Sequence, residues 1–143
     1  MDSRQVALVQ QSFEKVVPLG VKVTEIFYDE LFAIDPSVRK MFKRDMRDQH
    51  KKLLSALAMV VRSLHAPENI LTPARTLAVR HLDYGVLPDH YTYVGNALLR
   101  TLKKGLGDDF TPELRAAWVA AFRTLAGVMK EAAYGKSALR GAA

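Results

Sequence analysis

Three times along this chain a residue suited to capping a helix stands directly before a proline: Asp35-Pro36, Thr72-Pro73 and Thr111-Pro112. Asp and Thr side chains accept hydrogen bonds from the unpaired N–H groups that open a helix. Proline suits the first helical position, because its fixed φ is already helical and its missing N–H is not needed there. The pairs therefore predict three helix starts. Between the breaks, apolar residues recur at helical spacing: Met46, Leu53, Leu57, Val60 and Leu64 on one face, and Leu114, Trp118, Phe122 (or Ala121), Leu125 and Met129 on another. No segment of useful length alternates as a half-buried strand would.

Breaks at Pro18 and Gly20, at Ala66-Pro67, at Gly85 and Pro88, and at Gly105 and Gly107 divide the chain. The pattern predicts helices near 3–17, 21–34, 36–42, 46–64, 70–84, 88–105 and 111–134. The fold class is therefore all-α, with about seven helices in one domain, 1–134, and a short tail, 135–143, expected to fray. The two-turn piece 36–42 does not suit a regular four-helix bundle, whose helices are matched in length.

Composition narrows the function. The chain is 49% hydrophobic and 25% charged, the balance of an ordinary soluble domain. No apolar run reaches the roughly 18 residues of a membrane span, and Asp2 and Glu14 interrupt the start where a signal peptide is apolar, so a cytoplasmic protein is expected. Cysteine is absent, which removes disulfides, thiolate metal sites, cysteine nucleophiles and covalent Cys-x-x-Cys-His haem attachment. The net charge of +6 is concentrated in Arg39, Lys40, Lys43, Arg44, Arg47, Lys51 and Lys52, relieved by Asp45 and Asp48. That run is either a solvated helix face or a docking surface for an anionic partner. No nucleophile motif, glycine-rich phosphate loop or base-reading helix pair stands out, so neither hydrolysis nor nucleotide chemistry nor nucleic-acid binding is expected.

Four histidines remain: His50, His65, His81 and His90. His81 shares a helical stripe with Ile70, Ala74 and Leu77, and an inward imidazole needs a partner. His65 ends its helix, where a cation complements the negative end of the dipole. His90 opens the next helix and faces either way. His50 falls in a row with Leu54, Leu57 and Val61, and its neighbour Gln49 falls in the row of Met46, Leu53 and Val60. One of these two polar side chains faces inward.

Five stretches in fixed order resemble the globin family: FYDELF from Phe27, DPSVRKMF from Asp35, DQHKKLLSAL from Asp48, RHLDYGVLPDHYTYVGNALL from Arg80 and LRAAWVAAF from Leu114. The chain looks closest to single-domain bacterial haemoglobins and to the haem domain of flavohaemoglobins. The resemblance implies haem b, with His81 as the proximal iron ligand and its other nitrogen donating to the Leu77 carbonyl one turn back. It implies that Phe42 packs on the haem face and that Val86, Leu87, Leu77, Leu53 and Tyr91 line the haem. Tyr28 and Gln49, with Leu53 crowding in, match the residues that meet a bound gas, and Gln49 is preferred to His50. In flavohaemoglobins a tyrosine and a late glutamate support the proximal histidine. Tyr91 matches the tyrosine, but the glutamate position falls on Ala133, and Glu131 lies about 200° round the helix from it.

The function this implies is reversible oxygen binding, for transport, storage or scavenging, with carbon monoxide and nitric oxide as further ligands. Nitric oxide dioxygenation with a separate reductase is the second expectation, the basic run being the reductase's docking surface. A gas sensor, and a haem-free helical module with His81 in its core, are the remaining readings. A monomer or a homodimer is expected.

Overall fold

The seven segments read from the sequence are all helical in the structure, a computed structural model that describes residues 1–41, 46–83 and 88–134. Among these residues six α-helices are formed: α1 (Ser3–Val16), α2 (Val21–Ile34), α3 (Met46–Arg62), α4 (Leu71–Asp83), α5 (Pro88–Leu106) and α6 (Pro112–Tyr134). The short piece after Pro36 is a 3-10 turn, Pro36–Met41, and three more such turns occupy the predicted breaks at Val17–Leu19, Pro67–Asn69 and Gly107–Asp109. No strand occurs among the described residues. Phe42, Val86, Leu87 and the tail 135–143 lie outside them.

Two of the three cap–proline pairs act as predicted. The Leu114 N–H donates to Thr111 Oγ1 at 3.2 Å, and the Ser37 N–H donates to Asp35 Oδ1 at 3.0 Å. Thr72 does not open its helix. α4 starts at Leu71 with Ile70 O accepting from Ala74 N at 2.8 Å, so Thr72 and Pro73 sit inside the first turn. Proline is tolerated there because none of the first four N–H groups of a helix has an intrahelical acceptor.

The helices gather about one core. α2 lies along α5, α4 lies along α6, and α1 crosses α3, α5 and α6. Val9, Phe13 and Val16 of α1 meet Leu102 of α5 and Leu114 and Trp118 of α6 in the buried centre. The one polar atom of Trp118 is satisfied there: Nε1 donates to Ser12 Oγ at 2.9 Å, and Ser12 in turn donates to the Val9 carbonyl. Gly95 lets α5 approach α6, since a Cβ at that position would stand 2.6 Å from Phe122 Cε1. Glu30 accepts from Lys104 and faces Arg100 at 3.6 Å, tying α2 to α5 at the rim. Those cations hold the Glu30 carboxyl below its ordinary range.

Candidate functional site

α3 and α4 are held by different neighbours. α3 packs on α1 and α2, α4 packs on α6 and the Pro67–Asn69 turn, and the two make no extensive contact with each other. Ala74 and Ala78 of α4, with Ile70 just before the helix, form its buried stripe. Leu77 and His81, expected within that stripe, lie on its flank and are half-buried. On α3, Val60 and Val61 are buried while Leu53, Leu54 and Leu57 are half-buried. Both helices therefore leave apolar surface partly uncovered on the stretches that carry His81 and Gln49.

His81 Nδ1 stands 2.6 Å from the Leu77 carbonyl, the acceptor expected from the sequence. A carbonyl only accepts, so in the neutral ring Nδ1 carries the proton and Nε2 the lone pair. The i, i+4 spacing fixes the ring against its own helix.

Tyr28 of α2 is 6% exposed, and burial pushes its phenol up to about 12, so it remains an O–H donor through neutral pH. It donates to the main-chain carbonyl of Gln49 at 3.3 Å. Its ring meets Phe27 edge-on, with centroids 5.2 Å apart, and meets His50 edge-on at 5.1 Å. His50 Nδ1 lies 2.7 Å from Thr24 Oγ1. The imidazole of His50 thus packs on α2, and Gln49, half-buried beside it, touches Tyr28 through its backbone. Leu53, Leu54 and Leu57 close a void of about 20 Å³ with Phe27, Leu98 and Trp118.

Tyr91 of α5 is buried, and its hydroxyl has no hydrogen-bond partner among the described residues. Burial pushes this phenol also to about 12, and Lys130 Nζ lies 5.6 Å over its ring. Ala133 offers no acceptor and Glu131 is exposed. Tyr91→Phe is expected to leave folding stability unchanged or to raise it by up to about 1 kcal/mol, because it deletes a buried group that has lost water without gaining a partner among the described residues. Urea denaturation of parent and variant checks this; a loss of more than about 1 kcal/mol would mean the hydroxyl is satisfied.

His65 is exposed, and His90 is half-buried with its ring 6.0 Å from that of Tyr93. Arg39, Lys40, Arg47, Lys51 and Lys52 are exposed along the Pro36–Met41 turn and α3, with the Arg39 guanidinium 5.6 Å over the Phe32 ring. Lys43 and Arg44 lie outside the described residues. Among the described residues no three His, Asp or Glu side chains converge to hold a metal ion. No described helix is long and apolar enough to cross a membrane.

The sequence profile of the globin family matches residues 25–129. This chain belongs to the globin family. Its curated relatives include the flavohaemoproteins of Xylella fastidiosa, 28% identical over 129 residues, and of Bacillus subtilis, 26% identical over 129 residues. Each alignment covers 88% of this globin and 32% of the relative, so the chain spans about a third of the length of the curated relatives it matches. Among solved structures, an engineered carbene transferase built on a candidate nitric oxide dioxygenase of Rhodothermus marinus superposes with a TM-score of 0.85 at 27% identity, covering 99% of both chains. A bacterial globin from Campylobacter jejuni superposes with a TM-score of 0.83 at 24% identity, covering 98% of this chain and 99% of that one, and shares the fold.

A globin fold implies haem, and the residues of this globin fit one. In the neutral form of His81 the bond to Leu77 puts the lone pair on Nε2, the kind of donor that haem iron takes. The half-buried apolar side chains of α3 and α4 supply surface that a flat apolar macrocycle would bury. The Tyr28 hydroxyl, protonated at neutral pH, supplies the one strong donor of α2 beside Gln49.

Proposed function

We propose that this globin holds haem b between α3 and α4 and binds oxygen reversibly, with His81 as the proximal ligand. The observation that carries the reading is the 2.6 Å bond from His81 Nδ1 to the Leu77 carbonyl, which sets the tautomer a metal ligand needs. Haem, when bound, supplies a ferrous iron that takes up diatomic gases. Leu53, Leu77 and Tyr91 would give it apolar walls, the part that the family resemblance also assigns to Phe42, Val86 and Leu87.

Tyr28 and Gln49 act on the gas. Dioxygen bound in such a pocket draws partial negative charge, and an O–H donor meets it better than it meets a neutral carbonyl. The present 3.3 Å bond from Tyr28 to the Gln49 carbonyl is long for an O–H donor, so turning that proton to a ligand sacrifices little. The Gln49 amide adds a second donor from α3.

Visible spectra of the haem-loaded protein in ferric, reduced and carbon-monoxide-bound forms test the proposal. A stoichiometric Soret band that shifts with carbon monoxide and reversibly with oxygen is expected. Protein that retains no haem would return His81 to the role of an ordinary helix-end histidine.

A second reading has support in the relatives: nitric oxide dioxygenation, NO + O2 + e⁻ → NO3⁻. The electron must come from a donor, and the exposed side chains of Arg39, Lys40, Arg47, Lys51 and Lys52 would dock an acidic one, a separate flavin reductase. Reduction of the ferric protein by such a reductase is then expected to slow steeply between low and physiological ionic strength. A flat dependence would mark these cations as a solvated face.

A further inference from the structure

Thr24 and Tyr28 lie four residues apart on α2 and so share one face of the helix. Thr24 is 1% exposed, yet its hydroxyl is fully used. Its single proton goes to the Val21 carbonyl, with Oγ1 2.8 Å from the oxygen. With that bond made, Oγ1 faces the imidazole Nδ1 at 2.7 Å as an acceptor, and an Nδ1–H donor satisfies all three groups at once. This arrangement is the one in which neutral His50 carries its proton on Nδ1.

The anchored ring is also a wall for Tyr28. The two rings meet at 85° with centroids 5.1 Å apart, while Phe27 meets the phenol at 78° and Phe32 lies 6.0 Å away. The phenol cannot swing toward α3 without displacing His50. His50 cannot move without breaking its bond to Thr24.

We propose that Thr24 and His50 form a latch that positions the Tyr28 hydroxyl, so that His50 influences a bound gas through Tyr28 instead of touching it. The inference rests on the oxygen-binding role proposed above for Tyr28. It makes His50 a positioning residue bridging α2 and α3, whichever way the Gln49 amide turns.

The test combines a tautomer and a rate. Nitrogen NMR of the diamagnetic carbon-monoxide-bound protein should show His50 protonated at Nδ1, and Thr24→Val, which keeps the shape but removes the acceptor, should mix the tautomers. Thr24→Val and His50→Phe should each raise the oxygen dissociation rate by roughly threefold or more, the size of a coupling between touching residues. Thr24→Ser should restore the parent rate. In a Tyr28→Phe background both effects should vanish, which a merely structural role would not produce. An Nε2-protonated His50 in the parent, a Thr24→Val rate within about 1.5-fold of the parent, or an effect that persists without the Tyr28 hydroxyl would overturn the latch. Protein that takes up no haem would sink the oxygen-binding role instead, and the His50 tautomer of that protein as isolated would still decide whether the latch exists.

Discussion

His81→Gly should leave a folded protein that has lost its hold on haem, and added imidazole should restore the binding. Removing an outer-shell partner of a metal-binding histidine costs about 10- to 100-fold in affinity, so removing the ligand itself should cost at least about 100-fold. The fold should survive because His81 is half-buried on the flank of α4, whereas Ile70, Ala74 and Ala78 carry the packing. The helix-interior glycine costs about 1 kcal/mol, a tolerable loss near a helix end. Haem titration followed at the Soret band, with helical content by circular dichroism, separates the two effects. Rescue by free imidazole is the discriminating arm: an apolar slot vacated by a ligand accepts the same ligand back, and a core histidine lost from a haem-free protein has nothing to rescue. Retention of haem by His81→Gly at parent affinity would remove His81 from the iron.

The fold was legible because its signals are local. Thr111 and Asp35 cap where their spacing said they would, and Pro18, Gly20, Pro67 and Gly107 break the chain through their own backbone preferences. The site was legible only where it, too, was local. The His81 bond to Leu77 joins residues one turn apart on a single helix. Apolar pattern alone puts His81 within the stripe because alanines count for little in it: Ala78, not Leu77, completes the stripe with Ile70 and Ala74. Gln49 and His50 differ by one step of about 100°, and which of them meets α2 depends on how α3 rolls against it. No periodicity within α3 contains that angle. Thr24 left no signal at all, since a lone threonine in an apolar helix ordinarily bonds its own backbone, as this one does. Its second bond, to His50 across 26 positions, exists only once the chain has folded.

Tyr28→Phe is the substitution expected to change ligand behaviour most. A hydrogen bond to a charged acceptor contributes about 1.5–3 kcal/mol, which corresponds to a rise of roughly 10- to 150-fold in the oxygen dissociation rate when the donor is deleted. The fold should tolerate the change, because the ring contacts with Phe27, Phe32 and His50 remain and the bond to the Gln49 carbonyl is a long one. Carbon monoxide supplies the internal control. It draws less negative charge than oxygen, so its dissociation rate should rise far less, whereas a change in pocket shape would move both. The sign of the pH dependence follows from the raised phenol. With ionisation pushed up to about 12 by burial, Tyr28 keeps its proton at every pH where the protein is handled. The oxygen rate should therefore carry no Tyr28 titration between neutral and mildly alkaline pH. Stopped-flow displacement of oxygen measures all three quantities. An oxygen rate within about twofold of the parent, equivalent to only about 0.4 kcal/mol, would mean that the Tyr28 proton stays on Gln49 when the gas is bound and that the donor lies elsewhere.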